Sequence, residues 1–155
     1  MENLTERIAV AGCLAPIDKA GNAIAGKPID MAAYYQVTFL LYWGAMDTTG
    51  TLTVEKGTSA SLGTAIAFNY QVASTGTAAF SNLDGALTAA TTSGVAMVAT
   101  NDNLIYAITV NSSELGTSSF VGVKVGGAGS ANLVTIIALC KSRYPQAIAT
   151  PVPTT

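Results

Sequence analysis

The segment YYQVTFLLYWG, residues 34 to 44, constrains this chain more than any other stretch because its residue types alternate at a period of two. Tyr35, Val37, Phe39, Leu41 and Trp43 fall on one side, and Tyr34, Gln36, Thr38, Leu40 and Tyr42 on the other. Successive side chains of an extended strand point to opposite faces, so the first set forms a wholly apolar face suited to a core. β-Branched and aromatic residues also favour such a pleated, half-buried surface. The second face is amphipathic without being charged. Two tyrosines and a leucine on an outward face call for a cover, either another segment of the same chain or a partner.

The same period recurs downstream. TLTVEK (51–56) places Leu52 and Val54 inward and Thr51, Thr53 and Glu55 outward, and after the turn GAMDTTG it reads as the second half of a hairpin. TAIAFNYQV (64–72) puts Ile66, Phe68, Tyr70 and Val72 on one side. GVAMVA (94–99), NLIYAITV (103–110), FVGVKV (120–125) and NLVTIIALC (132–140) complete seven strands, with Gly, Ser, Thr and Asn in the connections. Residues 73–93 are less regular and hold either a short strand around Ala78 to Phe80 or a surface loop with a helical turn. Seven or eight short strands and little helical periodicity predict an all-β fold, an antiparallel β-sandwich of which the jelly roll is one form.

The ends of the chain differ in texture. Residues 1–30 include APIDKAGNAIAGKPID, with Gly, Pro and isolated charges and no sustained period, and are expected to form an extended N-terminal arm. Residues 145–155 carry Pro145, Pro151 and Pro153, which forbid a central strand and favour an extended Pro-rich tail. The expected division is therefore arm 1–30, sandwich domain 31–144 and tail 145–155. At 155 residues a single core suffices.

Charge then bears on function. Only 10% of residues are charged, against about a quarter in ordinary soluble proteins. Neutral surface favours association, because little hydration must be stripped and nothing repels a second copy. The net charge is −2 and the seven basic residues are scattered, so the basic stripe of a nucleic-acid binder is missing and no nucleic-acid partner is expected. No apolar run approaches the roughly 20 residues of a membrane span, so no membrane partner is expected either. VAGC (10–13) has the form of a lipoprotein cleavage box, yet Glu2, Glu6 and Arg7 stand where a basic region and an apolar stretch would be needed, which argues against export.

Catalytic chemistry finds little support. The chain has no histidine, which removes Ser-His-Asp and Cys-His arrangements and the commonest general base. MDTTG (46–50) departs from an aspartic-protease loop by an extra threonine and has no second copy. VGGAGS (125–130) lacks the Lys and Ser/Thr of a phosphate-binding loop and reads as a hairpin connection. Asp84, Asp102 and Glu114 each sit in a turn, where carboxylates satisfy local backbone groups, and no metal-ligand spacing links them. Cys13 and Cys140 are read as two buried thiols, with a disulfide as the other reading. The expectation is a non-enzymatic protein without catalytic, cofactor or metal residues.

Four pieces together, GKPIDMAAYYQVTFLLYWGAM, GTLTVEKGTS, NLIYAITVNSSELGTSSFVGVKV and NLVTIIALCKSRYPQ, resemble the decoration or cement proteins of tailed-bacteriophage heads over residues 28–145. The resemblance implies a β-sandwich that binds the outside of an assembled shell, with the major capsid protein as partner, as a homotrimer that strengthens the capsid. The implied location is the exterior of the virion, after synthesis in the host cytoplasm. A head- or tail-fibre component or host-recognition module shares the same texture and is the alternative. In either assembly the apolar residues of the arm, Ile8, Val10, Leu14, Ile17 and Ile24, and the outward residues Tyr34, Leu40 and Tyr42 are the candidate assembly contacts, with the tail contributing less.

Overall fold

A computed structural model describes residues 8–18, 23–46, 49–72, 83, 85–98, 103–127 and 132–143. Among these residues, twelve strands make two antiparallel sheets. They are β1 (Ile8–Asp18), β2 (Ile24–Ala25), β3 (Ile29–Asp30), β4 (Tyr34–Met46), β5 (Gly50–Gly57), β6 (Thr64–Ile66), β7 (Phe68–Val72), β8 (Thr88–Ala90), β9 (Val95–Met97), β10 (Ile105–Asn111), β11 (Phe120–Gly126) and β12 (Asn132–Ser142). The larger sheet runs β1-β12-β4-β10-β7-β8 and the smaller β2-β11-β5-β6, with β3 joining β11 and β9 joining β5.

The pairings are nested. β1 pairs with β12, β2 and β3 with β11, β4 with β10, and β5 with β6, so early strands meet late ones from the outside inward. β12 also joins β4 and β11 also joins β5, which links these pairs into the two sheets. A two-stranded ribbon rolled in this way is a jelly roll, the two-sheet form of the expected sandwich. Alternating side chains fill the space between the sheets. Val37, Phe39, Leu41, Trp43, Tyr106, Ile108 and Ile136 come from the larger sheet, and Leu52, Val54, Val121, Val123 and Val125 from the smaller. Full burial of one such aliphatic or aromatic side chain stabilises by about 1.5–3 kcal/mol.

Several expectations need correction. Residues 8–18 are not a free arm: they form the edge strand β1, registered against β12 from Ile8↔Lys141 to Asp18↔Leu133. Gly12, Pro16 and two register shifts had masked the period. One shift leaves Cys13 as an extra residue between the pairs Gly12↔Ile137 and Leu14↔Ile136, which lets Cys13 and Leu14 both pack on the core. Pro16 is tolerated because an edge strand has one unpaired side. The domain thus begins upstream of residue 31.

The segment 64–72 divides at Ala67, with β6 in the smaller sheet and β7 in the larger. Its inward period survives the break, because Phe68 is buried and Ile66, Tyr70 and Val72 pack against the core. β4 and β5 form no hairpin, and neither do β11 and β12, since each pair lies in opposite sheets. Turn composition signals a reversal; it does not distinguish a hairpin from a crossing between layers. β8 (Thr88–Ala90) lies further along than expected, while 78–80 and the tail 145–155 fall outside the described residues.

Candidate assembly surface

Tyr35 corrects the first reading of β4. Val37, Phe39, Leu41 and Trp43 are fully buried, but Tyr35 is 46% exposed. The cause is a register shift: Lys141 pairs with Gln36 and Ser142 with Tyr34, which leaves Tyr35 without a counterpart on β12. A bulge reverses sidedness beyond it. Tyr34 therefore packs on the core, where burial first and then the nearby Cys140 and Asp30 push its phenol pKa upward. Arg143 secures this end, its backbone N–H donating to Ala33 O at 3.0 Å and its Nε to Tyr34 O at 3.2 Å.

The outward side of the larger sheet can be read row by row from the pairings. One row is Ile8, Lys141, Gln36 and Asn111; the next is Val10, Leu139, Thr38 and Thr109. Then follow Gly12, Ile137, Leu40 and Ala107, and after them Thr135, Tyr42 and Ile105. Leu133 extends the patch at its far end, with its side chain beside Gly44. Val10, Leu133 and Ile137 are each over two-fifths exposed. Lys141 at one end and Asp18, registered against Leu133, at the other are the charged residues along this face.

The Thr, Gln and Asn side chains of this face already have partners. Thr38 and Thr109 share a hydroxyl–hydroxyl hydrogen bond of 3.0 Å, Gln36 Nε2 donates to Asn111 Oδ1 at 3.0 Å, and Thr135 Oγ1 donates to Leu14 O at 2.8 Å. Covering them would strip little water from unsatisfied groups.

Of the candidate contacts, Ile8, Val10, Leu40 and Tyr42 meet on this one face. Ile17 is exposed near the end of β1. Leu14, Ile24 and Tyr34 pack instead against the chain's own core. Leu133, Ile137, Leu139 and Ile105 were missed, although NLVTIIALC is apolar at both parities and so signals a strand with two apolar faces. No family model, no curated protein and no solved structure matches the chain.

The remaining site expectations resolve locally. Cys13 and Cys140 are free, buried thiols. Burial pushes both up to about 11, with the backbone hydrogen bond and Lys27 opposing at Cys13 and the Cys13 charge adding at Cys140. Glu114 accepts the Asn111 backbone N–H at 2.7 Å, a capping role at the turn Ser112–Leu115. Asp84 and Asp102 lie outside the described residues. No group of three or more metal-ligating side chains occurs among the described residues, and no helix there is long and apolar enough to cross a membrane.

Proposed function

We propose that this chain is a non-enzymatic structural protein of a virion, which binds the outer surface of a phage capsid through the major capsid protein and stabilises the shell. The observation that carries the reading is the outward side of the larger sheet, an almost uncharged surface on which Val10, Leu133 and Ile137 stand exposed beside Leu40 and Tyr42. A surface of this kind is at home in an assembly, where other protein covers it. The resemblance to head decoration proteins supplies the identity of that assembly. The two thiols, held neutral by burial, offer no nucleophile near neutral pH.

Mixing the purified chain with undecorated capsid shells tests the reading. Saturable co-sedimentation at hundreds of copies per particle, with a raised disruption temperature of the shell, is the expected result. A fibre or host-recognition module is the second reading, favoured by the exposed ring of Tyr35 at the end of β4. It is distinguished by a few copies at a vertex or tail tip.

A further inference from the structure

We infer that the outward side of the larger sheet is the contact between two copies of this chain, packed face to face about a two-fold axis. The inference deepens the assembly reading above by naming the partner of this face, and it leaves attachment to the shell to other surfaces.

Area is the first argument. Strands β1, β12, β4 and β10 at about 4.8 Å spacing give a width of about 19 Å, and Leu133 to Lys141 along β12 spans about 30 Å. That makes about 600 Å² of flat surface per copy and about 1,200 Å² for two, the lower end of specific protein interfaces.

Composition is the second. Val10, Leu139, Ile137, Leu40 and Tyr42 form a contiguous apolar centre, while Lys141, Gln36 and Asn111 lie together along one end. On the β7 side, Gln71 Nε2 donates to Leu83 O at 3.1 Å and to Gly85 O at 2.8 Å. An apolar centre with a polar margin is the anatomy of an interface. The internally bonded Thr38, Thr109, Gln36, Asn111 and Thr135 lower the desolvation cost further.

Symmetry follows because no second patch of this extent occurs on the smaller sheet among the described residues. Among the described residues, the outward side of the smaller sheet carries Thr51, Thr53, Gly122 and a half-buried Phe120, with Leu62 lying over Gly122 and Lys124 Nζ and Glu55 Oε1 paired at 3.3 Å, so its apolar residues are fewer and interrupted by charge. A ring such as a trimer needs two different complementary patches, whereas a two-fold contact uses one patch twice. Two outer sheets stacked about 10 Å apart would interdigitate these aliphatic rows as they do inside a sandwich.

Sedimentation equilibrium of the purified full chain tests this, alongside Ile137→Lys, Leu133→Lys and, on the smaller sheet, Thr51→Lys, with folding checked by circular dichroism. The wild-type chain and Thr51→Lys should sediment at twice the chain mass, and the two β12 variants should dissociate at least about 10-fold more readily. If Ile137→Lys does not fold, Ile137→Ser carries the same expectation. A wild-type monomer at about 500 µM, a trimer, or a dimer indifferent to the β12 substitutions overturns the inference. Shell binding is measured on the same samples. A monomer whose shell binding is lost in Ile137→Lys assigns the face to the capsid protein, overturning the self-contact and sparing the functional reading. A dimer that ignores shells upholds the contact and removes the function.

Discussion

Trp43 is fully enclosed, and among the described residues its indole Nε1 has no hydrogen-bond partner. Its contribution is therefore packing rather than polar pairing. Trp43→Ala should destabilise the chain by about 3–5 kcal/mol in urea titration, the usual range for deleting a large buried aromatic. Trp43→Phe breaks no hydrogen bond there and should cost less than about half of that. Cys13 and Cys140 act through their protonation. Burial raises both folded pKa values from 9.0 to about 11, so the unfolded chain releases these protons first as pH rises. Their contribution to stability is complete below pH about 9 and is lost as pH climbs towards about 11. Tyr106, pushed up to about 12 by burial and then by Tyr70, extends the loss above that window. The urea midpoint should fall between pH about 8 and about 10.5, and a Cys13→Ala, Cys140→Ala double variant should flatten the earlier part of the fall.

The eight registered pairs from β1 to β12, and the burial of Cys13 with Ala9, Ala11 and Leu14 against the core, make the first strand part of the fold. A chain beginning at Lys27 loses all of this and leaves β12 as a bare edge. It should unfold at least about 3 kcal/mol more easily than the full chain, or aggregate, as read by denaturant titration and light scattering. This strand also shows what the sequence hides. Where alternation ran unbroken, as in Val37 to Trp43 or Leu52 to Val54, strand and inward face were both legible. Where a bulge adds a residue, as at Cys13 and Tyr35, parity flips and pattern alone assigns the wrong side. Strand partners were not legible, because some consecutive strands pair, as β5 with β6 and β7 with β8, while others, as β4 and β5 or β11 and β12, lie in opposite sheets, and a Gly-Ser connection serves a hairpin and a crossing equally well. The assembly face was half visible: Leu40 and Tyr42 declared it on β4, but recognising Leu133, Ile137 and Leu139 required knowing that β12 lies beside β4.

Across the whole molecule, low charge and the apolar outward side of the larger sheet together determine how association should respond to solvent. With a net charge of −2 over 155 residues, two copies repel each other weakly. The charged groups along the face, Lys141 and Asp18, lie at its two ends, so few Coulombic terms change when copies meet. Sodium chloride acts chiefly by screening charges, and raising it from about 0.05 M to about 0.5 M should shift the dissociation constant of the pair less than about 3-fold. Sulfate acts differently, because its exclusion from protein surface strengthens apolar burial. The same ionic strength supplied as ammonium sulfate should tighten the pair measurably, and cooling should loosen it, since apolar burial weakens at low temperature. Sedimentation equilibrium in the two salts and at two temperatures reads all three effects. A pair that falls apart in sodium chloride would mean that ionic contacts outside the larger sheet hold the copies together, and the apolar face would then need another cover.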